Sequence, residues 1–442
     1  MEGEAKGLII KKFILMPLIY TTKSSTRLQY SCKFIFEEIL GTSYSLTTDE
    51  ENFRNYTGDK INYSFVEFDN VYQIKPHLLL FETGIKNQNI EVLGRGEKCR
   101  FFVISHKTAE FDIFAAVFYL ISRYEEYLPH TIDMYGRYAH ENSLAFKEGF
   151  LHVPLVNIWI DIFKEILLSK FPDLVFQPKS FLFTPTYDID IAWSYKEKGL
   201  IRNIGGFIKS PTLERVTVLL TGNKDPYDSY EFINDLHRKY NLKPLYFFLV
   251  ASKNGMYDKN ILPSNTSLQQ LIKEHASNYK IGLHPSWQSY NKDVILKEEK
   301  NILENISEIT IQISRQHYIK LNLPETYQSL LKTGITDDYS MGYASINGFR
   351  ASTASAFYWY DLSVEKITAL RIHPFCFMDA NCYYEQKLTV QQSALELKHY
   401  YDVCKKVNAT MIIIFHNNFL GTGKMFEGWR ELYFEFISQL PQ

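Results

Sequence analysis

From residue 181 onward the chain repeats one pattern: a short apolar run ends in an ionisable residue, and a longer stretch leads to the next run. Phe181-Leu182-Phe183 leads through Thr186-Tyr187 into Asp188-Ile189-Asp190, and Ile281-Gly282-Leu283 leads into His284. Ile309 to Ile313 runs into Ser314-Arg315-Gln316-His317, Ile367 to Ile372 into His373 and then Asp379, and Met411 to Phe415 into His416. A sixth run, Leu245 to Val250, ends at Ala251-Ser252. Short apolar runs alternating with longer polar or helical segments predict βα units and a parallel sheet. In a parallel barrel or a doubly wound sheet, sites lie at the carboxyl ends of strands and draw residues from several of them. Five runs ending in Asp, His or Arg therefore predict one polar site assembled across the sheet.

The texture before residue 170 is different. Residues 28–47 predict a helix followed by an extended stretch, and Val156 to Leu168 predicts a second helix. Phe111 to Tyr127 predicts a helix buried on nearly every face as far as Ile121, emerging at Arg123-Tyr124-Glu125-Glu126. Phe171-Pro172-Asp173 and Gln177-Pro178-Lys179 are breakers, which puts a boundary near residues 170–180. The expected organisation is a smaller N-terminal α/β domain over 1–175 and a second α/β domain over 176–442. Two domains also suit 442 residues, more than one core usually supports.

Bulk properties narrow the function classes. A formal charge of −2 supplies no basic field for phosphates, so nucleic acid is not an expected partner. Apolar residues at 45% and charged residues at 22% describe a folded protein. The 31 Tyr and 32 Phe are assigned mainly to core, although such rings also stack on sugars. Five scattered cysteines without a CxxC pair argue against a disulfide framework or a cysteine zinc site and fit a reducing compartment. The apolar stretch near the N-terminus is broken by Lys11-Lys12, so neither a transmembrane segment nor a secretory signal is expected, and the location expected is cytoplasmic. The sequence says nothing about oligomeric state.

Asp188 and Asp190 flank Ile189, so in an extended segment both carboxylates face one side. Two carboxylates that close stay ionised cheaply only beside a cation, and a divalent metal would bind one and leave the other as a base. Imidazole is the commonest metal ligand, and His284 stands at a strand end. Arg315 and His317 likewise share a side; the guanidinium can hold a base carboxylate, and the imidazole can ligate or touch substrate. His416 ends the most apolar run in the chain, which favours a general acid or a ligand, and Asp379 is a candidate to orient it. Each has a plainer reading as a helix cap, a core histidine or a surface pair.

With those residues in hand, 181–442 resembles the polysaccharide deacetylase (NodB homology) superfamily. Thr186-Tyr187-Asp188-Ile189-Asp190 resembles its first motif, Gly282-Leu283-His284-Pro285-Ser286 its histidine motif, and Phe415-His416-Asn417 its final histidine motif; Ser314-Arg315-Gln316-His317-Tyr318 sits where its arginine motif falls. The resemblance implies a distorted (β/α) barrel and a hydrolase that removes acetyl groups from an amino-sugar polymer or oligomer with a divalent metal, zinc first. It makes Asp188 the catalytic base held by Arg315, Asp190 and His284 metal ligands, and His416 the general acid with Asp379 behind it. Arg350 and Trp287 are expected to face a carbohydrate substrate. Phe111-Asp112-Ile113-Phe114, Ser122 to Tyr127 and Gly136-Arg137-Tyr138 resemble a domain that precedes the catalytic one in a bacterial subgroup. One position departs. The family's second metal-binding histidine falls where this chain has Gln288. His317 is the expected replacement and His373 the weaker one, while two further readings stay open: a carbohydrate-binding or scaffold protein that lost the metal, and a C–N hydrolase for a small amide.

Overall fold

The computed structural model describes residues 16–104, 108–177, 179–198, 213–221 and 224–440. The N-terminal region builds a parallel four-stranded sheet from β1 (Leu18–Tyr20), β2 (Ser45–Thr47), β3 (Lys60–Tyr63) and β4 (Tyr72–Ile74), in the order β2-β1-β3-β4. A small antiparallel pair follows, β5 (Val92–Leu93) with β6 (Arg100–Phe101). The helix Ile113–Ile121 is buried at every residue, and Asp112 caps it by accepting from the Ala115 N–H.

The second part is a nine-stranded sheet: β7 (Leu182–Ile189), β8 (Leu245–Phe248), β9 (Lys280–Leu283), β10 (Ile313–Ser314), β11 (Asp337–Asp338), β12 (Phe357–Asp361), β13 (Lys366–Ile372), β14 (Phe377–Met378) and β15 (Thr410–His416). Its order is β12-β13-β11-β10-β9-β8-β7-β15-β14, parallel except for β12. The sheet curls without closing, and β12 and β14 are its edges. The period of two along each strand sorts side chains into two cores. Leu245, Phe247, Ile313, Ile412 and Ile414 fill the concave side, while Tyr187, Tyr246, Phe248, Ile413 and Phe415 join the larger cluster. Gly282 sits on the concave side because a Cβ there would lie 2.6 Å from Ile313 Cγ1 and 2.8 Å from Phe247 Cε1.

The run Ile309 to Ile313 is strand only at its end, and Ile309 is exposed. The stretch between the helix Leu155–Lys170 and β7 contains the boundary placed near 170–180, yet one hydrophobic cluster crosses it. Helices Thr26–Cys32 and Ile113–Ile121 cover the β12 end of the sheet, with Tyr30 and Phe118 each 5.2 Å, ring to ring, from Tyr360. Arg27, fully buried, pairs with Glu365 across the same contact. All five cysteines are buried and free. Among the described residues no helix is long and apolar enough to cross a membrane.

Two expectations are corrected. The helix expected over Phe111 to Tyr127 stops at Ile121, because Arg123 takes a left-handed conformation (φ 54°) and a short turn follows. Its charged end does not emerge into solvent: Arg123, Glu125 and Glu126 are buried. Arg350, expected to face substrate, is buried with them and pairs with Glu126. Its Nε and Nη2 donate to the two Glu126 oxygens at 2.8 and 2.6 Å, and Arg123 Nε donates to the same carboxylate at 2.7 Å. Burial alone would raise the Glu126 pKa, but the two guanidinium groups outweigh it and bring it down to about 2. Arg350 is thus a structural tie between the two parts of the chain.

Candidate active site

The carboxyl ends of β7, β9, β10 and β15 converge on one pocket of about 590 Å³, lined in part by Asp188, Asp190, His284, His317 and His416. Alternation along β7 continues past its end, so Thr186, Asp188 and Asp190 all point to the concave side. β15 pairs with β7 in a register that sets His416 beside Asp188.

Arg315, fully buried, organises the base side. Its Nη1 donates to Asp188 Oδ1 at 2.9 Å and to Thr186 Oγ1 at 2.7 Å, and its Nε donates to the Tyr339 carbonyl at 3.0 Å. The guanidinium lies 4.4 Å from the Phe247 ring centre, stacked on the concave core. One Asp188 oxygen is therefore held, and the other lies 3.9 Å from His284 Nε2.

Asp190, His284 and His317 form the only group of three or more ionisable side chains among the described residues that could hold a metal ion. His284 Nδ1 lies 2.6 Å from the Arg315 carbonyl, which can only accept, so Nδ1 donates there and Nε2 is the atom that faces Asp190 Oδ1, at 3.1 Å. His317 Nδ1 donates to Asp258 Oδ1 at 3.0 Å, and its Nε2 lies 3.5 Å from Asp190 Oδ2. The donor set fits a divalent cation on three counts. Asp190 Oδ1 is buried without a hydrogen-bond partner. Each histidine has its second nitrogen bonded to an acceptor, the usual support for a ligating imidazole. The 3.1 and 3.5 Å separations approach the roughly 3.3–3.5 Å at which a tetrahedral ion with bonds of ~2.0–2.2 Å spaces its donors. Burial would raise the Asp190 pKa, but His317, His284 and His416 outweigh it and hold the group well below the usual carboxylate range. Burial would lower His317, but Asp190 and Asp258 push it up to about 9.

On the opposite wall, His416 Nδ1 donates to Asp379 Oδ1 at 2.7 Å, and the His416 N–H donates to Asp379 Oδ2 at 2.7 Å. Burial opposes a charged imidazole here, yet Asp379, Asp190 and Asp188 together raise His416 to about 10. Its Nε2 lies 3.8 Å from Asp190 Oδ2.

Seven of the residues singled out in the sequence thus stand together: Asp188, Asp190, His284, Arg315, His317, Asp379 and His416. Trp287 stands behind the lining, 6.2 Å from the Tyr135 ring and 5.7 Å from that of Tyr318. His373 is outside the pocket, stacked on Tyr339 at 4.3 Å with Nε2 2.7 Å from Asp337 Oδ1. Gln288 is outside too, its Nε2 donating to Asp258 Oδ2 at 3.0 Å and to the Lys253 carbonyl at 2.8 Å. Asp258, Tyr135 and Arg137 were not foreseen as site residues. For Arg137 the Gly136-Arg137-Tyr138 stretch was a signal, whereas Asp258 carries none.

Fold and site define an α/β protein with a pocket of convergent carboxylates and imidazoles at the carboxyl ends of a curled parallel sheet. A family of unknown function, DUF7033, matches residues 17–172. No curated protein matches the chain. Similar solved structures include one described as a "putative polysaccharide deacetylase from Mycobacterium smegmatis", at 12% identity and TM-score 0.38 over 59% of this chain and 85% of that one. The Puue allantoinase is 11% identical with TM-score 0.38 over 59% and 85% of the two chains. A mutant of BA3943, described as a CE4 family pseudoenzyme with restored enzymatic activity, is 9% identical with TM-score 0.29 over 60% and 65%. At such identities and TM-scores these likenesses decide nothing about activity, which has to be read from the pocket.

Proposed function

We propose that the protein is a metal-dependent hydrolase that removes acetyl groups from an amino-sugar polymer or oligomer. The observation that carries the reading is the placement of a half-buried carboxylate, Asp190, and two buried, back-bonded imidazoles between the Arg315-held Asp188 and His416, which is paired to Asp379. Asp190, His284 and His317 would hold the cation, with zinc as the first choice. Such an ion, when bound, acidifies a water and polarises a carbonyl. Asp188, with one oxygen fixed by Arg315, takes the proton of the attacking water on its free oxygen. His416, charged and oriented by Asp379, gives its Nε2 proton to the departing amine or hydroxyl. Tyr135, Tyr227, Tyr318 and Tyr384 line the pocket and offer faces on which sugar rings stack.

The test is acetate release from N-acetylated chitooligosaccharides and O-acetylated xylan by full-length protein stripped of metal and reloaded with zinc, alongside a panel of small amides and ureides. Acetate from the sugars, lost in Asp190→Ala and Asp188→Asn, is the expected result. Turnover of the small amides alone would replace the substrate class. No turnover with any metal or substrate, and no retained zinc, would leave a binding protein and overturn the reading.

A further inference from the structure

The pocket is not built by the large sheet alone. Residues 131–138 form a tight turn in the N-terminal region, closed by an antiparallel bridge between Ile132 and Tyr138 and by the Asp133 carboxylate, which accepts from the Tyr135 and Arg137 N–H groups. The turn presents Tyr135 and Arg137 to the pocket wall. Arg137 is buried, its Nε bound to Asp133 Oδ2 at 2.6 Å. Its Nη1 crosses to the other part of the chain and donates to the Tyr318 carbonyl at 2.7 Å.

Tyr318 is the residue after His317, and the segment it begins is costly. Tyr318 (φ 58°) and Ile319 (φ 50°) are both left-handed, and Ile319 is β-branched. Such conformations are unfavourable for residues with a Cβ and persist only where their surroundings impose them. The 131–138 turn supplies that imposition. Besides Arg137, the Tyr135 carbonyl accepts from Lys320 Nζ at 2.5 Å, and the Gly136 carbonyl accepts from Asn322 Nδ2 at 3.1 Å. The Tyr135 ring lies 5.6 Å from the Tyr318 ring. On its other flank the His317 N–H donates to the Pro285 carbonyl at 3.2 Å, next to His284.

We propose that the 131–138 turn, within the region matched by a family of unknown function, is a working part of the metal pocket: Arg137 positions His317 by clamping the left-handed Tyr318-Ile319 segment, and Tyr135 walls the substrate space. The proposal rests on the reading of His317 as a metal ligand, and a Trp- and Tyr-rich patch stabilises the clamp from behind, with Lys320 Nζ 4.1 Å from the Trp287 ring centre. Arg137 is a positioning residue: it touches neither the ion nor the reacting bond.

The experiment is zinc affinity by competition with a chromophoric chelator, on full-length protein, for wild type, Arg137→Ala, Arg137→Lys, Asn322→Ala and His317→Ala. Losing the support of a ligand typically weakens metal binding 10–100-fold. Arg137→Ala should fall in that range. Arg137→Lys should recover part of the loss, since one ammonium cannot serve Asp133 and Tyr318 as a fork does. Asn322→Ala, which loosens the same contact from the other side, should weaken binding less than Arg137→Ala; together with Arg137→Lys it keeps the test open if Arg137→Ala does not fold. Wild-type affinity in Arg137→Ala, Arg137→Lys and Asn322→Ala, with weakened affinity in His317→Ala, would overturn the clamp and leave the metal reading intact. Wild-type affinity in His317→Ala, or no zinc binding by wild type, would remove the reading beneath it.

Discussion

Asp258→Asn is the most informative single change, because Asp258 bears on the proposed metal site without lining the pocket. The carboxylate is buried and accepts four hydrogen bonds. Oδ1 takes His317 Nδ1 at 3.0 Å and the Trp287 N–H at 2.8 Å, while Oδ2 takes the Gln288 N–H at 3.3 Å and Gln288 Nε2 at 3.0 Å. Asparagine keeps the shape but offers one acceptor oxygen and turns an NH₂ toward two donors. His317 then loses its charged partner or the Trp287-Gln288 turn loses its anchor. A 10–100-fold weaker site is expected. With free zinc at 100 times the wild-type Kd, binding stabilises the wild type by about 2.7 kcal/mol. The same zinc stabilises a tenfold weaker variant by about 1.4 kcal/mol and a hundredfold weaker one by about 0.4 kcal/mol. Across 442 residues the unfolding entropy is about 0.9 kcal/mol/K. The zinc-induced rise in Tm is therefore about 3 °C for wild type and roughly 0.4–1.5 °C for Asp258→Asn. Differential scanning fluorimetry with and without zinc reads this difference, and comparing each variant with itself cancels any loss of intrinsic stability. A full wild-type shift in Asp258→Asn, alongside no shift in His317→Ala, would refute the claim that Asp258 holds a ligand.

Two further predictions concern the joint between the parts and the N-terminal core. Glu126→Gln removes the carboxylate that two buried guanidinium groups share, and breaking a buried pair from one side costs about 3–5 kcal/mol; urea unfolding reads the loss, and a change under about 1 kcal/mol would contradict the role given to Arg350. Burial pushes the Asp112 pKa up to about 6 against the Tyr63, His77 and Ala115 donors that favour its charge. A raised acid pKa means the folded chain holds the proton more tightly than the unfolded one, so stability falls as pH rises from about 4 to about 6 and is flat above that. The step is on the order of 1–3 kcal/mol and should vanish from the difference between pH 4.5 and 7 in Asp112→Asn; an equal step in the variant would assign it to other groups.

What the sequence could and could not reveal follows from how far apart partners lie along the chain. Asp188 and Asp190 were legible because the period of two in a strand is local: the spacing alone puts both on one side. His284 and His416 were legible because an apolar run followed by an imidazole marks a strand end wherever the strand sits in the sheet. The charged end of the helix Ile113–Ile121 misled for the opposite reason. Arg123, Glu125 and Glu126 look like a solvated terminus until Arg350, 224 residues beyond Glu126, closes on them. Arg350 in turn looks like a substrate contact for want of that partner. No pattern within a few residues encodes either half.

Gln288 shows the same limit where it matters most. Read along the chain, a glutamine in place of a second histidine is a missing ligand. In three dimensions its amide donates to Asp258, and Asp258 accepts from His317, so the position bears on the third imidazole through the carboxylate between them. His317 comes from a different strand, and its loop is held left-handed by Arg137 from the N-terminal region. Three donors converge, and the scaffold that makes them converge is spread over three segments of the chain rather than one short motif. A site built that way ties the N-terminal region to the pocket. It also explains physically why the two parts of this chain share a core and buried ion pairs: if the N-terminal region could shift freely against the sheet, the Tyr318 carbonyl would lose its donor and the His317 side chain its fixed place.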